Sequence, residues 1–110
     1  MHEIGIVQNL IEQARRAAAG RRIRQVHVAL GGLSDISAEA LDFYFGQLRV
    51  ETPLAEARLV IRAEPGRAEC QNCEHVADGE AALLTCPVCA AVAWRIVGGN
   101  RVALEAVDVD

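Results

Sequence analysis

Four cysteines fall within twenty positions of the 110-residue chain: Cys70, Cys73, Cys86 and Cys89. They form two Cys-x2-Cys pairs separated by twelve residues. That spacing reads as a zinc site: each turn brings two sulfurs onto one ion, and two turns complete a tetrahedron of thiolates. A shell of four thiolates leaves no position for a reactive water, so the site is expected to be structural and a zinc hydrolase is excluded. Pro87 stiffens the second turn. Met1-His2-Glu3 opens the chain without a basic stretch leading into an apolar one, so no secretory signal is read there and a cytoplasmic location is expected. Disulfides are then not the default fate of the thiols. His75, two residues after Cys73, reads as an exposed loop histidine, although exchange with a thiolate stays open.

The second group with metal chemistry is the N-terminus. The α-amine of Met1, the backbone nitrogens of His2 and Glu3, and the His2 imidazole are several nitrogen donors within three residues. Nitrogen-rich tetragonal sites suit Ni²⁺ or Cu²⁺. Amine and imidazole have reference pKa values of about 7.7–8.0 and 6.5, so binding there weakens as pH falls. On chemistry alone, a solvated terminal histidine is the commoner reading.

Composition narrows what these groups could serve. The net charge of −4 argues against a general binder of nucleic acid or anionic membrane. All eleven basic residues are Arg, which removes a phosphate-loop lysine and a Schiff-base lysine together. No apolar run approaches the roughly 18 residues of a membrane span. There is no glycine-rich phosphate loop and no nucleophile motif, so the chain is not expected to be an enzyme.

The elements that position both groups are legible from periodicity. Residues 4–18 read as a helix with Ile4, Val7, Ile11, Ala14 and Ala18 on one stripe, closed by Gly20, with residues 1–3 ahead of it. Gln25–Leu30 alternates as a strand that places His27 opposite Val26 and Val28, as a surface or interface histidine. Ser37 is the expected N-cap of a second helix carrying Leu41, Tyr44, Phe45 and Leu48, ended by Thr52-Pro53. Residues 57–64 and 101–109 read as two further strands. Phe43, Tyr44, Phe45 and Trp94 are expected in the core or between the two parts. The expected fold is α+β: a small three-stranded sheet with two helices on one face, plus a four-cysteine zinc-ribbon-like module inserted before the last strand. The expected boundaries are 1–65 with 98–110 for the α+β domain and 66–97 for the zinc module, breaking at Pro65-Gly66 and Gly98-Gly99.

Taken in order along the chain, these residues resemble the HypA/HybF family of hydrogenase maturation factors. The similarity lies in Met1-His2-Glu3 opening an amphipathic helix, the strand ending Val28-Ala29-Leu30-Gly31-Gly32-Leu33-Ser34, and Leu41-Asp42-Phe43. It continues through Glu56-Ala57-Arg58-Leu59, the four-cysteine segment and Gly98-Gly99-Asn100 before the closing strand. One departure is Ile4-Gly5 where family members often carry Leu-Ser, and Gly5 weakens a first helical turn. The resemblance implies a nickel metallochaperone for [NiFe]-hydrogenase and, in some organisms, urease. It implies nickel at His2, with Glu3 as a further site residue, and structural zinc on Cys70, Cys73, Cys86 and Cys89. The implied partners are a GTPase of the HypB type, the hydrogenase large subunit and, where urease is served, its maturation proteins, with neither nucleic acid nor membrane among them. The competing reading is a zinc-ribbon module for nucleic acid or transcription. It rests on Arg15, Arg16, Arg21, Arg22 and Arg24, five positive charges in ten residues.

Overall fold

A computed structural model of the chain describes residues 2–78 and 85–110, with His2 by its backbone alone. The elements run α1 (His2–Ala18), β1 (Ile23–Gly31), α2 (Ala38–Leu48), β2 (Arg58–Glu64), β3 (Arg67–Cys70), β4 (Val76–Asp78), β5 (Trp94–Gly98) and β6 (Val102–Val109). They build two three-stranded sheets, ordered β2-β1-β6 and β4-β3-β5.

The first sheet is the one expected. β1 pairs with β2 in parallel and with β6 antiparallel, which sets Val26 beside Leu59 and Val107, and Val28 beside Ile61 and Leu104. These side chains meet Val7, Leu10, Ile11, Ala14 and Ala18 of α1 and Leu41 and Phe45 of α2 in one core. The parallel β1–β2 pair needs a crossover, and α2 supplies it. Ser37 caps that helix, its hydroxyl accepting from the Ala40 N–H at 3.1 Å. At the other end the helix stops at Leu48, well short of Thr52-Pro53, with Arg49 as C-cap. The Arg49 guanidinium turns back over the Phe45 ring and donates to the Ala57 carbonyl at 2.6 Å, which ties the helix end to the entry of β2. Leu54, in the loop between, is fully buried, a core position that no periodicity marks.

Two expectations need correction. α1 starts at His2, not after residue 3. Glu3 puts a carboxylate in its first turn, where the helix dipole favours one, and a side chain at Gly5 would meet open space, so nothing interrupts the helix there. Phe43 is not in the core: it is 60% exposed and its ring stands edge-to-face with Tyr44, because positions 41 and 45 already take the inward stripe of α2. The zinc-ribbon-like module, in which no strands are read from the sequence, contains β3, β4 and β5. The Arg67-Ala68-Glu69-Cys70 alternation was there to be read, but these strands are three to five residues long and their inward residues are Ala and Cys. Strands this short, whose β-branched residues Val76, Ile96 and Val97 lie exposed, give little signal.

The chain passes from the first sheet to the second at residues 64–67 and returns at 98–101, and the two crossings pack against the end of β1. The Gly31 N–H donates to the Arg101 carbonyl at 2.9 Å, Gly32 to Glu64 at 2.8 Å and Leu33 to Gly99 at 2.7 Å. Only glycine fits there. A Cβ on Gly31 would lie 2.3 Å from the Gly99 oxygen, and one on Gly99 (φ 68°) 2.2 Å from the Pro65 oxygen. Joined this way, the molecule extends 52 × 24 × 16 Å.

Gly99→Ala is expected to cost on the order of 2–4 kcal/mol in urea unfolding, combining left-handed strain with a backbone clash. Gly20→Ala has a similar φ of 86° but open space around it, and is expected to cost only about 1 kcal/mol. Equal losses at the two positions would show that the crossing is not tightly packed.

Candidate metal centres

The two Cys-x2-Cys segments adopt the same backbone knuckle. In the first, the Cys70 N–H donates to the His75 carbonyl at 2.7 Å and Glu74 donates back to Cys70 at 2.9 Å. In the second, Cys86 donates to Ala91 at 2.8 Å and Ala90 donates back to Cys86 at 2.8 Å. Each knuckle turns at a left-handed residue, Glu74 at φ 68° and Ala90 at φ 63°. β3 delivers the first knuckle, and the Gln71 N–H, donating to the Ala93 carbonyl at 2.8 Å, brings the second beside it.

The sulfurs of Cys70, Cys73, Cys86 and Cys89 all lie within 4.8 Å of one another. Cys70 and Cys89 stand 3.6 Å apart across the knuckles, Cys73 and Cys86 3.5 Å. A zinc–thiolate tetrahedron with Zn–S of about 2.3 Å has edges of about 3.8 Å, so the spacing matches a metal shell. It is far longer than the roughly 2.0 Å of a disulfide, and all four thiols are free. His75 is not one of the four; its backbone serves the first knuckle.

The donor set also fits a cation electrostatically. The Asn72 side chain and the Ala91 N–H, both bonding to Cys89, hold its thiol at about 6. At Cys86, desolvation pushes the thiol up, but the N–H groups of Cys89 and Val88 and the Cys73 thiol outweigh it and leave it lowered. At Cys73 the His75 N–H pulls down, yet desolvation and the three neighbouring thiols together push it up to about 12. Four thiolates this close cannot all lose their protons unless a cation sits among them. The module has little else to fold around: its buried hydrophobic residues, among the described ones, are Ala68, Cys70, Ala77 and Cys86. Bound metal supplies the missing cross-link, and its binding free energy is folding free energy.

The second candidate centre lies largely outside the described residues. Nickel at His2 rests on Met1 and on the His2 side chain, both outside what the structure describes. Glu3 is placed in the first turn of α1. The first four N–H groups of any α-helix have no acceptor within it, so the backbone nitrogens of His2 and Glu3 are not held by the helix ladder.

Each arginine of the cluster has a partner within the chain. Arg15 and Arg16 pair with Glu12, Arg22 with Glu56 at 2.7 Å and with Asp110, Arg24 with Asp110, and Arg21 donates to the Asp110 backbone oxygen. Phosphate binding would have to displace these acids, which disfavours the nucleic-acid reading. His27, on the open face of the first sheet, lies 3.0 Å from Asp108. Sequence reasoning missed Asn72, whose bond to Cys89 crosses from one knuckle to the other and has no sequence signal.

Fold and site together define a small two-layer α+β protein carrying a four-thiolate, zinc-ribbon-like module. Known proteins place it further. The family described as "Hydrogenase/urease nickel incorporation, metallochaperone, hypA" matches residues 1–109. The hydrogenase maturation factor HypA of Geobacter sulfurreducens is 37% identical over 110 residues, the whole of both chains. That of Roseiflexus sp. is 37% identical over 114 residues, 100% of this chain and 93% of its own. The solution structure of the Ni metallochaperone HypA from Helicobacter pylori has a TM-score of 0.71 at 26% identity, covering 97% of this chain and 96% of that one. The chain belongs to the HypA family of nickel metallochaperones acting in hydrogenase maturation.

The thiol pattern makes a prediction about protons. Binding needs thiolates, so each sulfur still protonated in the metal-free protein releases its proton on binding, and affinity rises with pH. At pH 7 Cys73 releases one and Cys89, at about 6, enters mostly as thiolate. Zinc titrations in buffers of different ionisation enthalpy should therefore give fewer than four protons per ion. Separately, Ala90→Gly should relieve up to about 1 kcal/mol of left-handed strain and slow zinc loss to a chelator.

Proposed function

We propose that this chain carries Ni²⁺ at its N-terminus and holds a structural Zn²⁺ on Cys70, Cys73, Cys86 and Cys89. The observation that carries the zinc assignment is the mutual spacing of the four sulfurs, which no disulfide and no catalytic zinc site would need. Nickel is the cargo. Its ligands in this reading are the Met1 amine, the His2 imidazole and the backbone nitrogens of His2 and Glu3, with the Glu3 carboxylate as a further contact. Family membership over residues 1–109 supports this assignment, as does the identity of the residues at positions 1–3. The same reading divides the chain into a nickel-binding part, 1–65 and 98–110, and a zinc-binding part, 66–97.

The protein is a carrier and not an enzyme. Four thiolates offer a closed metal shell, and direction in metal transfer then has to come from a partner that spends nucleotide energy. The reading supplies a GTPase of the HypB type, with the [NiFe]-hydrogenase large subunit as client and urease maturation proteins where urease is served. It places the exchange in the cytoplasm. No described helix is long and apolar enough to cross a membrane.

The test is calorimetry on the untagged protein, His2→Ala, and a form extended ahead of Met1. His2→Ala is expected to abolish high-affinity nickel binding, and the extension, by removing the free amine, to weaken it by about 10–100-fold or more. Zinc content should be one ion per chain in all three. Wild-type nickel affinity in His2→Ala would remove the N-terminal site.

A further inference from the structure

α1 does more than carry the N-terminus: with the Ser34–Asp35 turn and the Asn100–Val102 segment it encloses a cleft of about 170 Å³. The floor is apolar, formed by Leu10, which is buried, and by Ile6 and Val102, which pack on the core. The rim is polar, formed by Asn9, Gln13, Asp35 and Asn100. Among the described residues, none of these four side chains has a hydrogen-bond or ion-pair partner. The only charge in the lining is the Asp35 carboxylate.

The walls are held before anything binds. The Leu33 N–H bond to Gly99 and the Gly31 N–H bond to Arg101 fix the turn on one side and the returning chain on the other. The Ser34 hydroxyl donates to the Ile36 carbonyl at 3.0 Å and closes the turn on itself. Ile6 lies four residues from His2, a rise of about 6 Å along the helix.

An apolar floor beneath a polar rim that offers amide oxygens and one negative charge fits one kind of side chain well. Its aliphatic stem would lie along Ile6, Leu10 and Val102 while its cationic head meets Asp35 and the amide oxygens. A guanidinium suits this better than an ammonium, because its planar fork engages a carboxylate and flanking oxygens together. We propose that this cleft is a docking slot for an arginine side chain of a partner protein, seated about one helical turn from the nickel-carrying end. The partner's chain would then run beside the N-terminus, where metal ligands of its own could meet the cargo. The proposal rests on the assignment of nickel to positions 1–3.

The probe is a blocked peptide, acetyl-Gly-Arg-Gly-amide, titrated into the zinc-loaded full chain and followed by amide NMR, with the citrulline counterpart as a neutral isostere. The arginine peptide is expected to shift the side-chain amides of Asn9, Gln13 and Asn100, and the citrulline peptide to leave them in place. Asp35→Asn should weaken the arginine response about tenfold, and Asn9→Ala should weaken it less, with zinc content unchanged in both. Equal responses to the two peptides, no response at these amides, or wild-type affinity in Asp35→Asn would each overturn the slot. Nickel stoichiometry measured on the same samples separates the two ideas: nickel bound at the N-terminus with a silent cleft removes only the slot, and a responsive cleft without nickel binding removes only the carrier reading.

Discussion

Two crossings of the backbone, at Gly66 and Gly99, pass each other and the end of β1 with less room than one methyl group needs. Everything beyond the first sheet depends on that approach. It carries the three hydrogen bonds from Gly31, Gly32 and Leu33 that join the sheets, and it fixes the two loops between which the α1 cleft opens. A side chain at Gly66 would collide with the Leu33 side chain, and one at Gly99 would have to push the backbone of Pro65 and Gly66, which does not yield cheaply. The module's connection is therefore a packed joint as well as a pair of linkers.

The two sheets are held by different physics. The first has a conventional core in which α1 and α2 cover β1, β2 and β6 with branched and aromatic side chains. The second buries alanines and cysteines, which contribute little by transfer from water. Its stability has to come from metal–sulfur bonds drawing two identical knuckles together. Both knuckles tolerate a left-handed non-glycine residue, a cost that stronger bonds elsewhere in the module offset. In the proposed reading, a second metal used purely as a cross-link would keep the two roles on chemically different donors: sulfur for zinc, nitrogen for nickel.

Charge tells a consistent story. The arginines that could have marked a phosphate-binding face are spent on Glu12, Glu56 and Asp110, and Arg62 bridges Glu64 and Glu105 across the open face of the first sheet. Arg62, through its bonds to Glu105, holds that carboxyl below its ordinary range. Most of the basic surface is thus engaged internally, while Asp35 at the α1 cleft has no ion-pair partner among the described residues.

Much was legible in the order of residues alone. The Cys-x2-Cys spacing announces a four-sulfur cluster because the turn geometry that brings two thiols together is local. The stripe of Val7, Ile11, Ala14 and Ala18 and the cap at Ser37 announce the helices because their periodicity and hydrogen bonds close within a few residues. Non-local relations were not legible. That β1 pairs in parallel with β2 and that β6 returns on its other side follow from which apolar faces can be buried together. Leu54 is buried by an arginine-anchored loop, and Phe43 is exposed because its neighbours already fill the inward stripe. β3, β4 and β5 exist because the knuckles and the joint pull short, weakly patterned segments into register. The glycines at 66 and 99 look like ordinary turn breakers in sequence; only the folded chain shows them as contact points, since close approach belongs to two distant segments and is written in neither.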